Sequence, residues 1–172
     1  MKFQIDDRFD ASLDEIERLL DDPGLHARLA AAMPGIEKIE PLERVDEPGR
    51  IRRRVQYTPN TEGKIPAFGR QVVKPSMLRW IEESTYDKAA HRYDYRILPN
   101  LPERWRDRFE SHGRYQLTQS GTRVLRRIEG EIVVHVPLLG RTIEKLLVRE
   151  VTENFRAEFA AMSALLRAAR AL

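Results

Sequence analysis

The stretch that most constrains this chain is its last one, Arg141 to Leu172, which contains neither proline nor glycine. Alanine, leucine, arginine and glutamate dominate it, all of them good helix formers. Ile143, Leu147, Val151, Phe155, Phe159, Met162, Leu166 and Ala169 succeed one another at steps of four or three, and Leu146 and Leu165 widen the stripe. Such spacing lays them along one face of a single helix. Thirty-odd residues at about 1.5 Å each make a rod of roughly 45–48 Å. A rod that long, with one broad apolar face, needs an extended apolar partner, and the preceding chain reads as a twisted sheet.

The totals set the class. With 172 residues, 41% hydrophobic and 33% charged, the chain has enough length for one domain with a substantial core and a heavily charged surface. No run approaches the ~20 apolar residues of a membrane span. The N-terminus enters an alternating pattern directly and shows no apolar signal core, so the expected location is the cytoplasm. The absence of cysteine excludes disulfides and thiolate metal sites. A net charge of +3, from 24 arginines and 6 lysines against 27 acidic residues, is too mild to mark a nucleic-acid binder.

Phe3, Ile5 and Phe9 alternate with Lys2, Gln4, Asp6 and Arg8 as in a strand, with Asp7 breaking the apolar side. Ser12-Leu-Asp-Glu15 is a capping box opening a helix that ends near Asp22-Pro23-Gly24. A second short helix, Leu25 to Met33, stops at Pro34-Gly35. From Ile36 to Val136 the pattern is mostly strand. Asp46 to Gly49 is a turn, Arg53 falls on an apolar side, and 58–69 reads as loop. Residues 71–86 hold one or two strands split by Pro75, with Leu78, Trp80 and Tyr86 in phase. His91, Tyr93, Tyr95 and Ile97 share a side of the next strand. Pro99 to His112 interrupts, with a helical turn or ordered loop at 103–109. Two strands then flank Ser120-Gly121, the second carrying Arg126 on its apolar face. One strand, two short helices, about six strands and a long helix imply an antiparallel α+β fold.

This order of elements, with the Pro137-Leu-Leu-Gly140 hinge, resembles the START-like superfamily, also called SRPBCC or helix-grip. The group includes lipid-transfer domains, birch-pollen-type allergens and polyketide aromatase/cyclases. Within it, Ile65-Pro-Ala-Phe-Gly, Trp80 and the run from His135 to Glu144 are most similar to an uncharacterised bacterial branch. The likeness in element order spans essentially the whole chain, while the motifs are confined to 65–80 and 132–147. The resemblance implies one domain over 1–172: a curved antiparallel sheet of about seven strands wrapped around the long C-terminal helix, with two short helices after the first strand. It also implies a cavity between sheet and helix that holds a hydrophobic or amphipathic, lipid-like molecule.

The expected lining is Tyr57, Trp80, Tyr93 and Tyr95 from strands and Phe155, Phe159 and Met162 from the helix, an apolar set with a few polar handles. The alternative is that these side chains meet and fill the core. His91 and Arg126, polar intruders on apolar faces, either bond a ligand's carboxylate, phosphate or hydroxyl, or reach solvent at a strand edge, or pair with an internal carboxylate. Arg104, Trp105, Arg106 and Phe109 interleave cations with aromatics. The expectation is transient contact with an anionic membrane rather than nucleic acid, the alternative being a loop pinned to the core. The four histidines are scattered, and no phosphate loop or serine elbow is present, so neither metal nor cofactor nor a catalytic residue is expected. The leading expectation is a carrier or sensor, with an aromatase/cyclase-like enzyme and a protein-interaction module with a collapsed core as alternatives.

Overall fold

The structure, a computed structural model, describes residues 1–61 and 75–171. The loop expected at 62–69, with the Ile65 to Gly69 motif, lies outside the described residues. The strand expected before Pro75 does too.

Strand β1 (Lys2–Phe9) leads into helices α1 (Leu13–Asp21) and α2 (Leu25–Ala32), then β2 (Ile36–Glu47) and β3 (Arg50–Pro59). A 3-10 turn at Pro75–Leu78 precedes β4 (Trp80–Asp87) and β5 (Arg92–Pro99). The four-residue helix α3 (Glu103–Arg106) follows, then β6 (Phe109–Ser120), β7 (Arg123–Val134) and α4 (Gly140–Arg170). The seven described strands form one antiparallel sheet in the order β1-β7-β6-β5-β4-β3-β2. The expected α+β architecture is the one observed. No described helix is long and apolar enough to cross a membrane.

Local chemistry accounts for most of these boundaries. At the start of α1 the Ser12 hydroxyl accepts from the Glu15 amide while the Glu15 carboxylate accepts from the Ser12 amide, satisfying two otherwise unpaired donors. The same carboxylate takes two hydrogen bonds from Arg170, at 2.6 and 2.7 Å, tying α1 to the far end of α4. Pro41 is tolerated because β2 is an edge strand, and the register shifts beside it, at Ile36/Lys38 and Pro41/Glu43, bend that edge. His91 is not on β5: it ends the Asp87–His91 reversal with φ of 49°, where the Asp87 carboxylate accepts from the Ala89 and Ala90 amides. Alternation resumes only at Arg92. Likewise Leu78 sits in the 3-10 turn, so the inward phase of β4 is Trp80, Glu82, Ser84 and Tyr86.

The core lies at one end. Phe9, Ala11, Ile16, Leu25, Leu29, Val124, Ala161, Met162 and Leu166 are buried together where α1 and α2 meet β1, β7 and the last third of α4. The opposite end of α4 is fixed differently: Gly140 is packed so closely on the Val134 carbonyl that only a hydrogen fits, and Glu144 accepts from the Val134 amide at 3.0 Å. Between these supports the apolar stripe of α4 is not fully covered. Ile143, Leu147, Val151 and Phe155 are half-buried, whereas Met162 is 1% exposed.

One row across the concave face has unusually little side chain. Gly113 of β6 faces Gly130 of β7, flanked by Tyr95 of β5 and Phe3 of β1. A Cβ on Gly113 would lie 2.5 Å from both the Tyr95 hydroxyl and the Glu129 carbonyl, so the tyrosine ring lies across this gap. Overpacking of this kind typically costs 1–3 kcal/mol. Gly113→Ala is therefore expected to lower stability by about 1–3 kcal/mol, read as a lower urea midpoint; an unchanged midpoint would mean that the ring is not held there.

Candidate functional site

The inward positions of the strands and the stripe of α4 face one another across the part of the sheet that α4 does not cover. α4 packs chiefly on β7 and β1 and on α1 and α2. Over the rest of the sheet the inward residues are Arg53, Val55 and Tyr57 on β3, Glu82 and Ser84 on β4, Tyr95 and Ile97 on β5, and Tyr115 on β6. Tyr57, Glu82 and Tyr115 are half-buried on this inward face, opposite the half-buried stretch of α4.

Its aromatic wall is ordered by stacking. Tyr57 lies parallel to Trp80 with centroids 5.2 Å apart, a pairing set by the β3–β4 register. Tyr86, Tyr93 and Tyr115 form a second stack, at 4.8 and 4.6 Å, with the Arg53 guanidinium over Tyr93. Tyr93 and Tyr86 belong to the packed core there. Burial pushes the Tyr57, Tyr95 and Tyr115 phenols above their ordinary value, so all three are neutral hydroxyls. The Tyr95 hydroxyl is buried and has no hydrogen-bond partner among the described residues.

Arg126 is 3% exposed. It donates from Nε and Nη2 to Asp7 Oδ2, at 2.9 and 2.7 Å, and from Nη1 to Glu158 Oε2 at 3.1 Å. The rings of Phe9, Tyr115 and Phe155 lie 5.3 to 5.9 Å from its guanidinium carbon. Burial alone would lower its pKa, but the charges of Glu158 and Asp7 outweigh this, and the value ends above the usual arginine range. Of the readings expected for Arg126, its geometry shows the pairing with internal carboxylates. The Asp7 that interrupts β1 is its partner.

Glu82 is the opposite case. Its inward carboxyl faces the same space between Val55 and Ile97, and among the described residues it has no cation within ion-pair distance. Burial is the main reason its pKa rises to about 7, and the charge of Glu158 adds to it; Arg53 and a hydrogen bond with Ser84 pull the other way. Arg53 itself is bound to Asp21 of α1 at 2.8 Å.

The remaining candidates separate by place. Phe155 borders the space, while Phe159 packs on Phe9 with centroids 4.9 Å apart and Met162 is enclosed in the core. His91 bonds Glu17 of α1 through Nδ1 at 2.8 Å, and Glu17 also accepts from the Tyr86 hydroxyl. His91 therefore secures α1 across the closed end and does not face the space. At the other end Trp105 and Phe109 are half-buried, Arg104 and Arg106 exposed, and the Arg104 guanidinium lies 5.1 Å from the Trp105 centroid. Beside them, bound through the His135 amide to the Arg108 carbonyl, runs the link to α4, where Leu138 is fully exposed with φ of 66° and Leu139 is also exposed.

The residues that sequence reasoning missed are Glu82 and Glu158. Glu82 stands in phase with Trp80 and Tyr86, and Glu158 lies three residues after Phe155, inside the stripe. Each is a carboxylate at an inward position, the signal that singled out Arg126.

The comparisons bear on fold and family. The family model described as "Protein of unknown function (DUF2505)" matches residues 4–166. No curated protein matches the sequence. Among solved structures, TTHA0849 from Thermus thermophilus superposes with a TM-score of 0.69 at 17% identity, covering 98% of this chain and 99% of that one. The Zhui aromatase/cyclase from a Streptomyces species gives 0.66 at 18%, covering 97% and 93%. Norcoclaurine synthase from Thalictrum flavum gives 0.64 at 18%, covering 96% and 86%. The fold is the helix-grip fold.

A carboxyl whose pKa is raised on folding favours the native state while protonated, below about pH 4.5, and loses that contribution as the pH climbs through about 7. Glu82→Gln keeps the protonated shape at every pH. The variant should match the parent near pH 4.5 and exceed it at pH 8 by up to roughly 3 kcal/mol, the free-energy equivalent of the shift. Thermal unfolding across pH 4.5–8 measures the difference; parallel curves would place the Glu82 carboxyl in contact with solvent.

Proposed function

We propose that this chain, which belongs to the DUF2505 family, binds a hydrophobic or amphipathic small molecule between α4 and the concave face of the sheet. The observation that carries this reading is the graded burial of the α4 stripe, closed at Met162 and Leu166 and half-open from Ile143 to Phe155. An apolar surface of that length facing inward aromatics, with a few directed polar groups among them, has the composition of a ligand site. Binding removes the ligand's apolar surface from water at about 25 cal/mol per Å². The stacked Tyr57 and Trp80 supply a flat apolar wall, and the Tyr95 hydroxyl offers a hydrogen bond. The protein acts as a cytoplasmic carrier or sensor of a lipid-like molecule.

A second reading is an enzyme using the same space. The observation favouring it is Glu82, a carboxyl poised near neutrality beside apolar walls, as general acid–base work requires. An aromatase/cyclase and norcoclaurine synthase are among the proteins that share the fold.

Exchange with a membrane takes place at the Trp105 end. Arg104, Arg106 and Arg108 have no carboxylate within 4.0 Å among the described residues, and exposed Leu138 and Leu139 lie alongside. Cations next to exposed leucines and an indole suit an anionic lipid surface.

Two measurements test the proposal. The mass of the protein sprayed intact from native buffer should exceed its denatured mass by that of a co-purified small molecule, and Val151→Trp, which fills the space from the helix side, should abolish the difference. Protein that is empty in every preparation and binds no neutral hydrophobic dye would overturn the carrier reading. On vesicles containing phosphatidylserine, Trp105→Ala with Arg106→Ala should float severalfold less protein than the parent; equal flotation removes the docking surface.

A further inference from the structure

The charges that face the internal space do not balance. Asp7 and Arg126 neutralise each other through two hydrogen bonds to one oxygen. Glu158 gives Oε2 to the same guanidinium, and its other oxygen has no partner among the described residues. Arg53 is held by Asp21 at the closed end. Glu82 has only Ser84 as a hydrogen-bond partner among the described residues. Both guanidiniums are thus committed to carboxylates, while two carboxyl groups, on β4 and on α4, retain unused acceptor capacity. An anionic headgroup would find no free cation on this face among the described residues and would meet Glu82 and Glu158. A ligand with a positively charged end would find both of them, the neutral Tyr95 hydroxyl, and the faces of Tyr57 and Trp80.

Resting on the cavity reading above, we infer that the ligand is an amphiphilic amine, whose apolar body lies along α4 and whose ammonium group is received between Glu82 and Glu158. The empty site holds a proton on Glu82 near neutral pH, because burial and the charge of Glu158 disfavour a second carboxylate. The ammonium takes the place of that proton: Glu82 ionises, the proton leaves to solvent, and one positive charge replaces another. The other charged and titratable groups on the elements packed around Glu82 are already engaged or neutral. Asp7 and Glu158 are salt-bridged to Arg126, Arg53 is salt-bridged to Asp21, and the phenols of Tyr57, Tyr95 and Tyr115 are pushed upward by burial. Affinity for an ammonium ligand is then set by the ionisation of Glu82. With a midpoint near pH 7 it rises roughly tenfold from pH 6 to pH 8.

The experiment compares three probes with one chain length, dodecylamine, dodecanol and dodecanoate, each displacing a neutral fluorescent dye from the full-length protein at pH 5.5–8.5. Dodecylamine should bind at least tenfold more tightly than dodecanol at pH 8 and gain about tenfold between pH 6 and 8, while dodecanol is flat and dodecanoate weakest. Glu82→Gln should lose both the preference for the amine over dodecanol and its pH dependence. Glu158→Gln should weaken amine binding and, by removing a charge that helps to raise the Glu82 pKa, move the midpoint of the pH dependence to lower pH. Dodecanol binding with no preference for the amine, or an amine slope unchanged in Glu82→Gln, overturns this inference and leaves the cavity reading standing. If none of the three probes displaces the dye, the cavity reading falls with it.

Discussion

A guanidinium shared by two strands and a helix holds this molecule together. Arg126 reaches from β7 to Asp7 on the neighbouring edge strand and to Glu158 halfway along α4. It is the one described ion-pair centre that links the long helix to the sheet in the interior. Removing either partner of such a buried pair leaves an uncompensated charge, which typically costs 3–5 kcal/mol. The three rings around Arg126 exclude water and interact with its charge. Everything on the open side of the sheet is arranged relative to that point. The packed core lies between it and the two short helices, and the accessible aromatics lie beyond it.

The closed end has its own polar fastening. Glu17 receives both Tyr86 and His91, and Asp21 receives both Arg44 and Arg53, so α1 spans the end of the sheet on two carboxylates. Because Arg53 is held there by Asp21, it offsets only part of what raises the Glu82 pKa. A structural ion pair at one end thus helps to set the electrostatics at Glu82.

Much of the fold was legible because its signals are local. The Ser12–Glu15 box, the alternation of β1 and the stripe of α4 each specify an element from a few adjacent residues, and each element was found where expected. The misplaced residues fall where local periodicity ends. His91 continues the phase of Tyr93 and Tyr95 on paper, yet it belongs to a reversal whose left-handed backbone no alternation pattern reveals. The site was less legible than the fold. Asp7 and Arg126 each stood out as an interruption, but their pairing spans 119 positions and depends on β1 lying beside β7. Glu82 adjoins Glu83, one pointing inward and the other towards Arg54 and Arg96, and only the phase of the finished strand tells them apart. Glu158, in a chain one-third charged, reads as solvated surface until the sheet is in place opposite.

The long helix is supported at its two extremities, by Gly140 and Glu144 on β7 at one and by Leu166 and Arg170 on the short helices at the other. Between them Glu158 rests on Arg126, and from Ile143 to Val151 the helix spans on its own backbone hydrogen bonds, as a joist spans between bearings. Residues along that free span, Leu147 and Val151, are thereby released from most of their duty to the fold. Substitution there can reshape the interior for a different guest, while the same degree of change at either bearing would bring the beam down.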